Sequence, residues 1–191
     1  MYKIPISGGP STGKSTIFDT LTQKYPDAHF VYEAAEIVIK RELTKQKEEP
    51  GYEPIMPVTN YRKFAPLVMA QQKENEDAIP EDADLVIMDR CVIDNLGYLA
   101  YNGITDYVSE VNRRARAANY TMAFFCDWLG FFEQTEVRRE TEEQGLAIHR
   151  HLESAYHSSN INVIHLPAAT TVKSASIANR LQIIESNINN L

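Results

Sequence analysis

Cysteine, tryptophan and surplus positive charge are all scarce in this chain of 191 residues, which has two cysteines and one tryptophan. Cys91 and Cys126 fall in or beside apolar, strand-like segments and lack metal-ligand spacing. Reduced core thiols in a cytoplasmic protein are therefore expected, rather than a disulfide scaffold or a zinc site. Lysine and arginine total 19 against 26 aspartates and glutamates, a net charge of −7. That balance excludes a broad nucleic-acid footprint but still allows a local cationic pocket for a nucleotide. No apolar run approaches the roughly 20 residues a membrane-crossing helix needs, and no leader is expected before a motif that begins at residue 8. Internal repeats and low-complexity tracts are also missing. The remaining composition, 43% hydrophobic and 24% charged, is that of an ordinary globular protein. The length points to one domain over residues 1–191, with a homodimer compatible with it.

The most informative stretch is Gly8-Gly9-Pro10-Ser11-Thr12-Gly13-Lys14-Ser15, which fits G-x-x-x-x-G-K-[ST] at every position. Such a loop brings backbone N–H groups close to phosphate oxygens, and a Cβ at Gly8 or Gly13 is expected to obstruct that approach. Lys14 supplies a mobile charge for the β- and γ-phosphates, and Ser15 a hydroxyl for Mg²⁺, with Thr16 beside it in the first helical turn. The context agrees, because Tyr2–Ser7 reads as a strand and Ser15–Lys24 as a helix whose N-terminus favours anions. Pro5 is the discordant residue, since it lacks an N–H and should sit poorly in a central strand.

Downstream, strand-like and helix-like segments alternate. Strands are expected at His29–Tyr32, Asp84–Asp89, Tyr120–Cys126 and Asn162–Leu166. Helices are expected at Ala34–Leu43, Thr59–Asp77, Asp94–Tyr101, Thr105–Asn119, from about Glu142 to His157, and Val172–Asn189. Thr44–Pro57, with three prolines, reads as a mobile loop, and Pro66 should kink its helix or restart it. On that helix Tyr61, Phe64, Val68 and Gln72 recur at spacings of three and four, so they share one face. The fold class is α/β: a three-layer, five-stranded parallel sheet with helices on both faces. In such sheets ligands bind beyond the carboxyl ends of the strands. Glu33, Asp89 and Asp127 end strands and are expected to surround the phosphate loop.

Each candidate has a functional and a bland reading. Asp89 closes the apolar run Leu85-Val86-Ile87-Met88, as a carboxylate that holds Mg²⁺ would. Arg90 then grips an acceptor or a phosphoryl group, or else forms an ordinary ion pair. Glu33 has the position of a general base and equally that of a helix-N-terminal glutamate favoured by the dipole. Arg138, Arg139 and Glu140 lie in a polar segment, about residues 130–145, that reads either as a lid or as a solvated helix start. Arg113, Arg114 and Arg116 read as a solvated helix face. His149, His151 and His157 read as structural or surface residues, and Trp128 as a packing residue. No NKxD-type guanine-reading motif is present, which weakens a Ras-like assignment.

With these residues placed, the chain resembles a P-loop family, AAA_28 or NadR-like ATP-binding domains, that is closer to nucleoside and nucleotide kinases than to ring-forming motors. Gly8–Ser15 is similar to the family's loop, and Glu33-Ala34-Ala35 to its EAA segment. Phe64 and Gln72 match a Phe and a Gln on the third helix. Asp89-Arg90 with Asp94 and Tyr98 is similar to a DRG-x-x-D-x-x-x-Y stretch, Arg138 and Glu140 to an R-x-E lid element, and Leu166-Pro167 to a terminal L-P. Glu36 stands where an Arg is expected, Cys91 where a Gly is expected, and Thr135 where an Asp is common.

The resemblance implies ATP (or GTP) with Mg²⁺ held by Gly8 through Thr16, with Ser15 and Asp89 as metal ligands. It implies Lys14, Glu33, Asp89, Arg90 and Arg138 as catalytic residues, and Glu33, Phe64, Gln72, Arg90 and Asp94 around a small-molecule acceptor. The expected activity is phosphoryl transfer to a nucleoside- or nucleotide-like acceptor. The alternative is a nucleotide-dependent regulatory NTPase or switch with a protein or lipid partner.

Overall fold

The computed structural model describes residues 1–130, 141–168 and 173–191. Its elements are β1 (Tyr2–Ser7), α1 (Lys14–Lys24), β2 (His29–Val31), α2 (Ala34–Glu48), α3 (Tyr61–Asp77) and β3 (Leu85–Asp89). Beyond β3 come α4 (Val92–Tyr101), α5 (Val108–Ala117), β4 (Ala123–Cys126), α6 (Glu142–His157), β5 (Val163–Leu166) and α7 (Lys173–Ile188). All five strands run parallel in the order β2-β3-β1-β4-β5, the expected architecture. No helix among the described residues is long and apolar enough to cross a membrane.

Strands covered on both faces should be apolar at every position, and here the two faces carry separate cores. Ile4, Ile6, Ile87, Phe124 and Leu166 point to one side, against Ile17, Phe18 and Leu21 of α1 and Ile177 and Ile184 of α7. Val86, Met88, Ala123 and Phe125 point to the other, against Ile93 of α4 and Ile148, Leu152 and Tyr156 of α6. A third contact, Ala34 and Val38 of α2 on Phe64 and Val68 of α3, raises a wall beside the carboxyl ends of β2 and β3. Both cysteines are free and buried.

Pro5 occupies the central strand after all. Residues 2 and 6 of β1 bond toward β3, as the Tyr2 amide to the Asp84 carbonyl and the Arg90 amide to the Ile6 carbonyl show. Pro5 therefore turns its missing N–H toward β4, and the β1–β4 pairing begins only with Ile6 opposite Phe124. The irregular segment before β4 carries the Thr121 amide, which donates to the Lys3 carbonyl at 2.9 Å. The missing donor therefore falls where the β1–β4 pairing is not yet regular.

Two expectations about helices are corrected. Thr44–Glu48 continues α2 and is not loop, because Lys45, Gln46, Lys47 and Glu48 are good helix formers and the first breakers are Pro50 and Gly51. The segment beyond α2 is pinned by buried Glu42, whose carboxylate accepts from the Tyr52 hydroxyl at 2.5 Å and the Ile55 amide at 3.0 Å. Pro66 causes no restart, since α3 runs through it from its cap at Asn60, whose side chain accepts from the Lys63 amide. The proline lies in the second turn and deprives only the Arg62 carbonyl of its donor.

The tightest helix contact is α4 on α6 at Gly97, where a Cβ would lie 2.7 Å from Leu152 Cα and 2.9 Å from Leu152 N. Gly97→Ala should therefore lower stability by about 1–3 kcal/mol through overpacking against backbone, read as a lower urea midpoint. An unchanged midpoint would contradict this close approach.

Candidate functional site

The phosphate loop is shaped by the elements beneath it. Gly8 has φ 143°, Ser11 φ 62° and Gly13 φ 80°, values that a residue with a Cβ adopts only under constraint. A Cβ at Gly8 would lie 2.7 Å from the Cys126 carbonyl of β4, and one at Gly13 would lie 2.6 Å from Ile177 Cδ1 of α7. At Gly9 it would meet His149 Cβ of α6 at 2.6 Å. Packing against β4 and α6 backbone and Cβ atoms thus adds its own demand for glycine at Gly8 and Gly9, and at Gly13 the positive φ does so. Inside the loop the Thr12 hydroxyl donates to the Gly9 carbonyl at 2.8 Å.

Among the described residues, Arg180 and His149 hold this loop from outside the motif. Arg180 of α7 is fully buried. It donates from Nη1 to the Thr12 carbonyl, from Nη2 to the Asp127 carbonyl at 2.7 Å, and from Nε to the Pro167 carbonyl at 3.1 Å. Burial lowers its pKa against the pull of Cys126 and Asp127, yet a guanidinium keeps its proton. A permanent positive charge therefore lies under the loop. His149, expected to be structural or at the surface, is buried and accepts the Gly9 amide at Nδ1, 3.1 Å away. Burial lowers its pKa, with Glu153 and Asp127 opposing, which favours the neutral imidazole needed to accept that bond.

Above the loop, cations and carboxylates alternate. Lys14 Nζ pairs with Asp89 Oδ1 and lies 3.2 Å from Glu33 Oε2. The other Glu33 oxygen meets Arg90 Nε at 3.1 Å, and Arg90 Nη1 meets Asp94 Oδ1 at 2.8 Å. The Arg90 guanidinium also lies over the Tyr98 ring, 5.4 Å from its centroid. Its backbone has φ 67°, the left-handed region that a non-glycine residue occupies only when its surroundings fix it. Asp94 is saturated. Besides Arg90 it accepts from Ser7 Oγ at 2.5 Å, the Cys91 amide at 2.9 Å and the Tyr156 hydroxyl at 2.7 Å. Cys91, in place of the expected glycine, sets its thiol 3.2 Å from that same hydroxyl.

The charges tune one another. Burial disfavours the Lys14 ammonium, but Asp89 and Glu33 outweigh it and raise its pKa. Burial likewise works against the Glu33 carboxylate, and Lys14 with Arg90 overcomes it and holds Glu33 down to about 2. Asp89 moves the opposite way. For it, burial and the neighbouring Glu33 charge outweigh Lys14, and its pKa rises.

A cavity of about 460 Å³ joins the two halves of the site. Gly9 to Thr16 line one end; Tyr61, Phe64, Val68 and Gln72 line the other, so the four residues expected on one helix face do share it. Glu33, Arg90, Asp94 and Tyr98 stand between them, with Glu36 also in the wall. The Gln72 amide donates to Glu76 Oε1 at 2.8 Å, which fixes its orientation. Ser15 and Thr16 are exposed, at the cavity end of α1. Among the described residues, no group of three or more His, Cys, Asp or Glu side chains could hold a metal ion unaided.

Asp127 does lie beside the loop, its carbonyl joined to that of Thr12 through Arg180, but its carboxylate is turned away. That group pairs with His165 Nδ1 at 2.7 Å and does not line the cavity. Arg138, Arg139, Glu140 and Thr135 lie outside the described residues. Of the arginines read as a solvated face, Arg113 and Arg116 are exposed, while Arg114 is partly buried and donates to the Met69 carbonyl at 2.9 Å.

Comparisons with known proteins bear on the family and the fold. The AAA_28 family model, described as an AAA domain, matches residues 3–174. No curated protein matches the chain in sequence. Among solved structures, the chain is similar to a deoxyadenosine kinase from M. mycoides with the products dCMP and dCDP bound. That match has a TM-score of 0.66 and 14% identity over 99% of this chain and 100% of the other. It is also similar to thymidylate kinase from Candida albicans, with a TM-score of 0.63 and 15% identity over 100% and 93% of the two chains. For thymidylate kinase from Ehrlichia chaffeensis the TM-score is 0.63, with 14% identity over 97% of each chain. At these identities the likeness concerns the fold.

Glu33 is held below its ordinary value of 4.5. The stability it contributes is therefore complete above pH 4.5 and lost as the pH falls toward about 2. The stability difference between wild type and Glu33→Gln, followed by denaturant unfolding from neutral to acid pH, should shrink across that window. A difference independent of pH would contradict the pairing with Lys14 and Arg90.

Proposed function

The chain belongs to the AAA_28 family, and from that premise we propose that it is a phosphotransferase using ATP (or GTP) and Mg²⁺, with a nucleoside- or nucleotide-like acceptor. The observation that carries this reading is the position of Glu33, whose two oxygens meet Lys14 at 3.2 Å and Arg90 at 3.1 Å within one continuous cavity. A nucleotide switch needs the phosphate loop and its metal ligands. It does not need a carboxylate and an arginine turned toward an aromatic chamber.

The backbone amides at the N-terminus of α1, the Lys14 ammonium and the Arg180 charge beneath the loop favour a triphosphate there. Ser15 and Asp89 fit as ligands of Mg²⁺, which when bound neutralises charge on the terminal phosphates. Phe64 and Gln72 receive the body of the acceptor. Arg90 orients its reacting end, and Asp94, with no accepting capacity left over, positions Arg90. Glu33 accepts the acceptor proton. At a pKa of about 2 it is a weak base, and removing Lys14 to the phosphates strengthens it. Arg138 is assigned to the developing charge on the transferring group.

ADP release from ATP–Mg²⁺, measured with a panel of nucleosides and 5′-monophosphates, tests the reading. At least one acceptor should stimulate release. Lys14→Ala should cut kcat/KM by about 10²–10³-fold, as removal of one transition-state donor does, while Glu33→Gln should lower kcat with nucleotide binding retained. Nucleotide binding with no stimulation by any acceptor would contradict the proposal.

A further inference from the structure

The charges around the acceptor half identify the kind of acceptor. Among the described residues, the cavity is lined by three carboxylates, Glu33, Glu36 and Asp94, and two cations, Lys14 and Arg90. Both cations are already engaged. Lys14 lies between Asp89 and Glu33, and Arg90 is bracketed by Glu33 on Nε and Asp94 on Nη1, with its face on Tyr98. Glu36, one turn along α2 from Glu33, is exposed and pairs at 2.6 Å with Lys40, which does not line the cavity.

When a triphosphate draws Lys14 to the loop, the described residues of the acceptor half leave three carboxylates around one guanidinium. The remaining wall, Tyr61, Phe64, Val68, Ile39 and Gln72, offers apolar and amide groups without further charge. A phosphate monoester there would bring a second pair of negative charges among carboxylates, and like charges facing each other at a binding site cost several kcal/mol. An uncharged hydroxyl does not meet that penalty, and a cationic alcohol gains from the same field.

Resting on the phosphotransferase reading, we infer that the acceptor is a neutral or cationic nucleoside-like alcohol and not a nucleoside monophosphate, with Glu36 helping to set that choice. In the transfer, the acceptor hydroxyl oxygen forms a bond to the γ-phosphorus. The bond from that phosphorus to the β,γ-bridging oxygen breaks, its electron pair leaving with the nucleoside diphosphate. The hydroxyl proton passes to the Glu33 carboxylate. Every participant is a group of the site, the acceptor or the donor nucleotide.

The test is calorimetric binding of thymidine, deoxycytidine and deoxyadenosine, each against its own 5′-monophosphate, with ADP–Mg²⁺ on the loop. The preferred nucleoside should bind at least about tenfold more tightly than its monophosphate, and the gap should narrow as salt rises. In Glu36→Arg, the monophosphate-to-nucleoside affinity ratio should rise roughly three- to tenfold. Monophosphates bound as tightly as nucleosides, or no binding by any nucleoside, would overturn the inference. A ratio unmoved in Glu36→Arg would overturn the role of Glu36. Nucleoside selectivity in binding without any phosphoryl transfer would remove the phosphotransferase reading and leave the selectivity standing.

Discussion

The site turns on one carboxylate held by two cations. Glu33 gives one oxygen to Lys14, at the end of the phosphate loop, and the other to Arg90, at the end of β3. Neither partner is spare, since Lys14 also pairs with Asp89 and Arg90 also pairs with Asp94. Glu33 is partly exposed but its partners are buried, and buried charges persist only when paired and hydrogen-bonded. Among the described residues no buried side-chain nitrogen or oxygen lacks a partner. The chain of ion pairs runs from donor loop to acceptor chamber, so a change at one end is felt electrostatically at the other.

Sheet order explains why these residues meet. β2, β3 and β1 are consecutive neighbours, so Glu33 after β2, Asp89 at the end of β3 and the loop after β1 emerge side by side. The opposite half of the sheet supplies bracing instead. β4 and α7 crowd Gly8 and Gly13, α6 crowds Gly9, and Arg180 ties the loop to the chain after β4 and β5. A loop fixed from below by three elements can present its amides without rearranging, which is the preorganisation that phosphoryl transfer draws on.

Much of this was legible in the sequence, because local pattern and local chemistry coincide there. The phosphate loop, the carboxylate closing the apolar run at Asp89, and the shared face of Tyr61, Phe64, Val68 and Gln72 each arise from spacing within a few residues. Contacts between distant segments were not legible. Arg180 lies 168 residues from Thr12, and nothing near it in the chain marks it as a loop support. His149 sits on a helix whose histidines suggested only surface or packing, yet the fold sets it on Gly9. Asp127 ends its strand as Asp89 does, but His165 on adjacent β5 captures its carboxylate. Pro5 is discordant with a generic central strand, whereas the late start of β4 puts its missing N–H where that pairing has not begun.

If Lys14 shuttles between the carboxylates and the phosphates, Glu33 must change its proton affinity when the donor nucleotide arrives. Carbon-13 NMR titration of the Glu33 carboxyl, with and without a non-hydrolysable ATP analogue and Mg²⁺, measures this directly. The account predicts a value of about 2 in the free protein. With nucleotide bound it should rise toward, but stay below, the ordinary 4.5, because Arg90 remains in place. A Glu33 value that nucleotide leaves unmoved would contradict the account.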